Sequence, residues 1–114
     1  MLRASERFGC GYCLAAHTAV AAKKGVPADD ALSFRRGRSD DDREQALLRF
    51  VDATMDRQGR VEDGELAAFR QAGYDDAAVV EVCAAISWMT FTSLFNHLND
   101  TEVDFPPVPE VATA

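Results

Sequence analysis

Apolar residues recur along this chain at spacings of three and four, and almost nowhere in strict alternation, so the pattern predicts helices and hardly any strand. One clear amphipathic stripe is Ala46, Leu47, Phe50, Val51, Thr54 and Met55. Ser39 and the acids Asp40, Asp41 and Asp42 precede it. They supply a cap and first-turn negative charge, which the free N–H groups of a helix start favour. Gln58 and Gly59 end this helix. The longest predicted helix opens at Asp75 or Asp76 and runs to about Asn99, with a stripe of Val79, Val82, Cys83, Ile86, Met89, Thr90 and Leu94. Ala84 and Ala85 widen its apolar face, which predicts burial over much of its circumference, in the core or against another subunit.

From Tyr12 to Lys24 the chain is rich in Ala and Leu, both strong helix formers. Lys23 and Lys24 suit a helix C-terminus, Gly25 fits the left-handed cap and Pro27 prevents continuation. Shorter helices are predicted from Ala28 to about Arg36, ended by Gly37, and from Asp63 to Gln71, closed by Gly73. Leu2 to Phe8 reads either as a short helix or as the tail of a longer one. The expectation is an all-α domain of about five helices over residues 1–105, with a CxxC at the start of one of them. A tail over 106–114, holding Pro106, Pro107 and Pro109, is expected to be extended or loosely docked.

The 114 residues suit a single domain, and 47% hydrophobic with 27% charged residues is an ordinary globular balance. A formal net charge of −7 repels phosphate backbones and argues against a nucleic-acid partner. No uninterrupted apolar run approaches the ~18 residues that span a bilayer, so no membrane partner is expected. Arg3, Glu6 and Arg7 stand where a signal peptide would carry its apolar stretch, which predicts a cytoplasmic protein.

Three cysteines in a chain without a signal peptide argue against a structural disulfide framework. Two of them form Cys10-Gly11-Tyr12-Cys13, a spacing that suits redox or metal chemistry. On a helix beginning near Gly9, offsets of three and seven residues return Cys10, Cys13 and His17 to nearly one face. The helix N-terminus stabilises a thiolate, and a histidine one turn from Cys13 exchanges a proton near neutral pH. A thiolate, a second thiol and a base are the minimum for dithiol redox catalysis. A closed zinc site would need a fourth ligand, and Cys83 and His97 lie on a distant helix without paired spacing. Haem attachment needs a histidine where Leu14 stands. Neither metal nor cofactor is expected. Cys83 reads as a buried structural thiol, His97 as a helix-end residue interacting with the dipole, and Trp88, Phe91 and Phe95 as core or subunit interface.

The stretch Glu6-Arg7-Phe8-Gly9-Cys10-Gly11-Tyr12-Cys13-Leu14-Ala15-Ala16-His17-Thr18, followed by Ala21-Ala22-Lys23-Lys24-Gly25-Val26, resembles the core of the AhpD-like alkylhydroperoxidases of the carboxymuconolactone decarboxylase superfamily. Glu81-Val82 to Asn96, then Asn99-Asp100-Thr101-Glu102-Val103-Asp104-Phe105-Pro106, resembles the closing helix and tail of that family, so the resemblance covers nearly the whole chain. It implies an all-helical subunit that assembles as a homo-oligomer, a trimer or a hexamer, with thiol peroxidase or disulfide reductase activity. By resemblance Cys13 attacks the hydroperoxide and becomes a sulfenic acid, Cys10 resolves it as a disulfide, and His17 matches the histidine of the proton relay. A thiol reductant protein or small dithiol then restores the pair, without a cofactor. The decarboxylase branch does not rely on a CxxC, and no paired carboxylate or second histidine near the motif favours hydrolytic chemistry.

Two departures from the family pattern stand out. Its glutamate, twelve positions before the first cysteine, falls before Met1, as does an additional N-terminal helical segment. The resemblance therefore implies a shortened member or a start set too late. Glu6, four residues before Cys10, is the nearest acid and is not expected to replace that glutamate. Tyr12 occupies a position where some members carry another histidine. These departures motivate an alternative expectation, a non-enzymatic redox-sensing or structural oligomeric member with a degraded relay.

Overall fold

The computed structural model describes residues 1–111. Its helices are α1 (Leu2–Phe8), α2 (Gly11–Lys23), α3 (Ala28–Arg35), α4 (Asp42–Arg57), α5 (Asp63–Gln71) and α6 (Asp76–Asn99), with no strand among the described residues. The all-α expectation holds. The described residues form six helices instead of about five because Leu2–Phe8 is a helix of its own. Gly9 ends it at φ 63°, a left-handed conformation that glycine adopts without steric cost. Its N–H bonds the Glu6 carbonyl, and the Cys10 N–H bonds that of Ser5.

Acidic caps start the later helices. Asp41 accepts from the Glu44 N–H at 2.9 Å and Asp75 from that of Ala78 at 3.0 Å. Glu62 and Glu65 satisfy each other's backbone N–H groups reciprocally at the start of α5.

The core has two parts. Phe50, Phe69 and Val82 join α4, α5 and α6, with Phe69 stacked between Phe50 at 4.1 Å and Tyr74 at 4.4 Å. Ala4, Cys10, Cys13 and Met89 form the other part, where α1, α2 and α6 meet. Arg3 and Arg7 tie α1 to Asp52 of α4 at 2.8 and 3.3 Å.

α6 corrects one expectation, for Cys83, and narrows another, for its aromatic residues, to the subunit-interface alternative. Its buried residues are Val82, Met89 and Ser93, while Val80, Trp88, Phe91, Leu94, Phe95 and Leu98 are exposed. Trp88, Phe91 and Phe95 stack in sequence along the outside, at 5.8 and 6.4 Å, and do not enter the core. Cys83 is an exposed free thiol, not a buried one. The helix is apolar nearly all round, so periodicity alone did not identify which side packs. The side that does carries Ser93. By length and mean hydropathy (1.6) α6 is also apolar enough to cross a bilayer, and only 17% of its apolar stretch is buried in the bundle. Glu81 and scattered hydroxyls interrupt its apolar run without much lowering the average.

The tail leaves α6 at Asp100 (φ 47°) and folds back on the bundle. Phe105 meets Tyr12 edge-on at 5.7 Å, and the Pro109 carbonyl accepts from Arg35 Nη2 at 2.7 Å. Arg35 is buried and also donates from Nε to Glu6 at 2.7 Å. One guanidinium therefore links α1, α3 and the tail. Residues 112–114 of the expected tail lie outside the described residues.

Candidate functional site

The site forms at the start of α2. Cys10 has extended backbone (φ −87°, ψ 100°) and is the N-cap itself, one step before the helix on which the sequence had put it. The turn brings the Cα atoms of Cys10 and Cys13 to 5.2 Å, and the two are joined as a disulfide. Cys10 Sγ accepts the Cys13 N–H at 3.2 Å, so this sulfur sits where the unpaired amides of the helix start point. Both cysteines are almost fully buried. The bond spans one turn and ties together no separate elements.

Cys13 Sγ faces α6. Ser93 Oγ lies 3.7 Å from it, Asn96 Nδ2 3.7 Å and Thr92 Oγ1 3.9 Å. Sequence reasoning missed these three residues. The available signal was polar side chains at 92, 93 and 96 interrupting an otherwise apolar helix.

His17 is half-buried one turn further along α2. Its Nδ1 bonds the Cys13 carbonyl at 2.9 Å and approaches Ser5 Oγ at 3.5 Å. A carbonyl only accepts, so Nδ1 carries the hydrogen in that bond and Nε2 of the neutral ring is bare. Burial pushes the His17 pKa below its usual value; the bond to the Cys13 carbonyl opposes this, and the charge of the Met1 amino group adds a smaller downward push. The ring is therefore neutral at pH 7. The expected trio is brought to one region, but only the two sulfurs meet. Among the described residues no charged side chain is hydrogen-bonded to either sulfur.

A cleft of about 270 Å³ opens beside Cys10, between Gly9, Gly11 and Tyr12 on one wall and Asn96, His97 and Thr101 on the other. His97 Nε2 is 3.4 Å from the Gly9 carbonyl oxygen, so this helix-end residue also borders the site. A larger hollow of about 330 Å³ near Asp30, Arg38 and Glu44 shares no residue with it and offers no thiol or imidazole. Glu6, held by Arg35, is bonded away from the sulfurs. No three His, Cys, Asp or Glu side chains gather as a metal would require among the described residues. Compared with known proteins, the chain matches no family model and no curated protein.

The arrangement is a vicinal dithiol couple with different surroundings at its two ends. One sulfur has a backbone amide and a cleft; the other has three side-chain donors. Such a pair can pass two electrons between a thiol and an electrophilic sulfur or oxygen.

Proposed function

We propose that the protein is a cytoplasmic thiol-dependent peroxidase or disulfide reductase of the AhpD-like kind, cycling Cys10 and Cys13 between dithiol and disulfide. The observation that carries this is the Cys10–Cys13 bond across the first turn of α2, with its two sulfurs in unlike polar surroundings. In the dithiol form the Cys13 thiolate attacks one peroxide oxygen. The O–O bond breaks, the second oxygen leaves as alkoxide and takes a proton, and Cys13 becomes a sulfenic acid. Cys10 then attacks Cys13 Sγ, the S–OH bond breaks, water leaves and the disulfide forms. Two thiol equivalents from a dithiol or a reductant protein return the pair to the dithiol. His17, neutral at pH 7, is the nearby group that moves protons in this scheme.

The bond from His17 to a carbonyl instead of a sulfur favours a second reading, a redox sensor without efficient turnover. The exposed stripe of Val80, Trp88, Phe91, Leu94, Phe95 and Leu98 supports homo-oligomeric assembly, since monomers rarely leave so long an apolar face in water; a trimer or hexamer is what the family resemblance implies.

The test is consumption of an organic hydroperoxide in the presence of a dithiol. Wild type turns over, Cys10→Ser turns over more slowly because the external dithiol must take the place of the resolving thiol, and Cys13→Ser is inactive. Equal activity in wild type and Cys13→Ser would sink the proposal.

A further inference from the structure

Three of the polar groups on α6 are used in an unusual way. Ser87 and Thr90 return their hydroxyls to the carbonyls of Cys83 and Ile86, four residues back, as helical Ser and Thr commonly do. Ser93 is just as helical and almost wholly buried, yet its hydroxyl goes to Cys13 Sγ. Asn96 sends its amide N–H to the same atom, and Thr92 shares its hydroxyl between that sulfur and the Met89 carbonyl. A neutral disulfide sulfur is a weak acceptor. Three donors around one are out of proportion to what it can accept, whereas a thiolate would use all three in charge-assisted bonds.

We propose that Ser93, Asn96 and Thr92 form a donor cradle that holds Cys13 as the thiolate when the bond opens, and thereby direct an incoming thiol to Cys10. This rests on the thiol chemistry proposed above and adds which sulfur the reductant meets. The reductant's thiolate attacks Cys10 Sγ from the cleft that this residue lines. A mixed disulfide forms between the reductant and Cys10. The Cys10–Cys13 bond breaks, and its electron pair stays on Cys13 as the thiolate in the cradle. In thiol–disulfide exchange the sulfur with the lower pKa is the faster leaving group, which is the direction the cradle imposes. A second reductant thiol then releases Cys10.

Of the other groups near the two sulfurs, only Asp100, which lines the cleft beside Cys10, works in the same direction, by disfavouring negative charge at that end. The Cys13 N–H is bonded to Cys10, and the helix N-terminus favours charge on Cys10. His17 is neutral and bonded to a carbonyl, His97 reaches the Gly9 carbonyl, and Glu6 is paired with Arg35. The three α6 side chains are what favours charge on Cys13. They are positioning residues, acting through Cys13.

Two measurements test this, and neither uses a peroxide, so a lack of peroxidase turnover would leave the proposal standing. First, oxidised wild type is exposed briefly to glutathione, quenched, and the adduct mapped by mass spectrometry. The adduct is expected on Cys10; an adduct mainly on Cys13 overturns the proposal. This needs no variant and decides even if a cradle substitution prevents folding. Second, in Cys10→Ser with Cys83→Ser, where Cys13 is the only thiol, thiolate absorbance is followed against pH. The midpoint is expected below the ~8.5 of a free cysteine. Ser93→Ala with Asn96→Ala should raise it by roughly one unit, leaving about tenfold less thiolate at acidic pH, while Ser93→Thr keeps the hydroxyl and the low midpoint. A midpoint unmoved by the double alanine change overturns the cradle.

Discussion

Reduction of the Cys10–Cys13 bond opens a loop of only four residues within the first turn of α2. In the chain-entropy account so short a loop constrains the unfolded chain by about 2 kcal/mol, against about 4.7 kcal/mol for a loop of ~100 residues. Little else is lost when the bond opens. Cys10 Sγ caps α2, Cys13 packs with Ala4 and Met89, and Ser93 and Asn96 lie within reach of its sulfur, and none of these contacts requires the bond. For a domain of this size about 2 kcal/mol corresponds to a fall in Tm of roughly 10 °C or less. The assay is thermal unfolding by circular dichroism with and without a phosphine reductant, with free thiols counted to verify that the bond has opened. A cooperative transition within that range fits a bond that opens and closes in service. Loss of the transition at room temperature, or a fall of roughly 20 °C or more, would show that the bond is a staple and would refute the redox reasoning.

Arg35→Ala removes the guanidinium that joins Glu6 to the Pro109 carbonyl and leaves Glu6 unpaired at a half-buried position. Breaking a buried pair costs about 3–5 kcal/mol, reduced here to roughly 2–3 kcal/mol because Glu6 keeps some contact with water; urea unfolding showing a loss under about 1 kcal/mol would contradict this. His17 should make stability depend on pH in one direction. Its folded pKa lies below the unfolded value, so on acidification the unfolded chain takes up the proton first, and stability falls as pH drops through the unfolded pKa toward the folded one. His17→Gln should flatten the stability profile over that window, as read by urea midpoints at stepped pH, and an unchanged slope would show that the ring titrates normally.

Much of this arrangement was legible in the sequence, for identifiable reasons. Acids before apolar stripes marked the starts of α4 and α6, and Gly25, Gly37 and Gly73 marked helix ends, because caps are local chemistry. The approach of Cys10 and Cys13 was legible too, because three residues is one helical turn. The cap position of Cys10 was less so: it depends on Gly9 turning left-handed after α1, a choice that neither glycine flanking Cys10 announces alone. The direction of His17 was not legible, because spacing sets a face and leaves open whether a ring nitrogen meets a sulfur or a carbonyl. α6 was misjudged for a different reason. With apolar residues on nearly every side, its packing is decided by tertiary partners, and these select the side bearing Ser93 while leaving Cys83, Trp88 and Phe91 outside the subunit's own core. A buried serine opposite a cysteine 80 positions away is a tertiary fact that no local pattern encodes.

The most direct measurement of the central claim is trapping of a sulfenic acid. Reduced Cys10→Ser protein, which cannot close the disulfide, is treated with an organic hydroperoxide and a sulfenate-specific dione, and the adduct is located by peptide mass spectrometry. Cys83, exposed and free, is the internal control for indiscriminate oxidation. The account predicts rapid labelling of Cys13 with Cys83 largely unlabelled, despite the far greater exposure of Cys83. Labelling confined to Cys83, or equal at both, would contradict it.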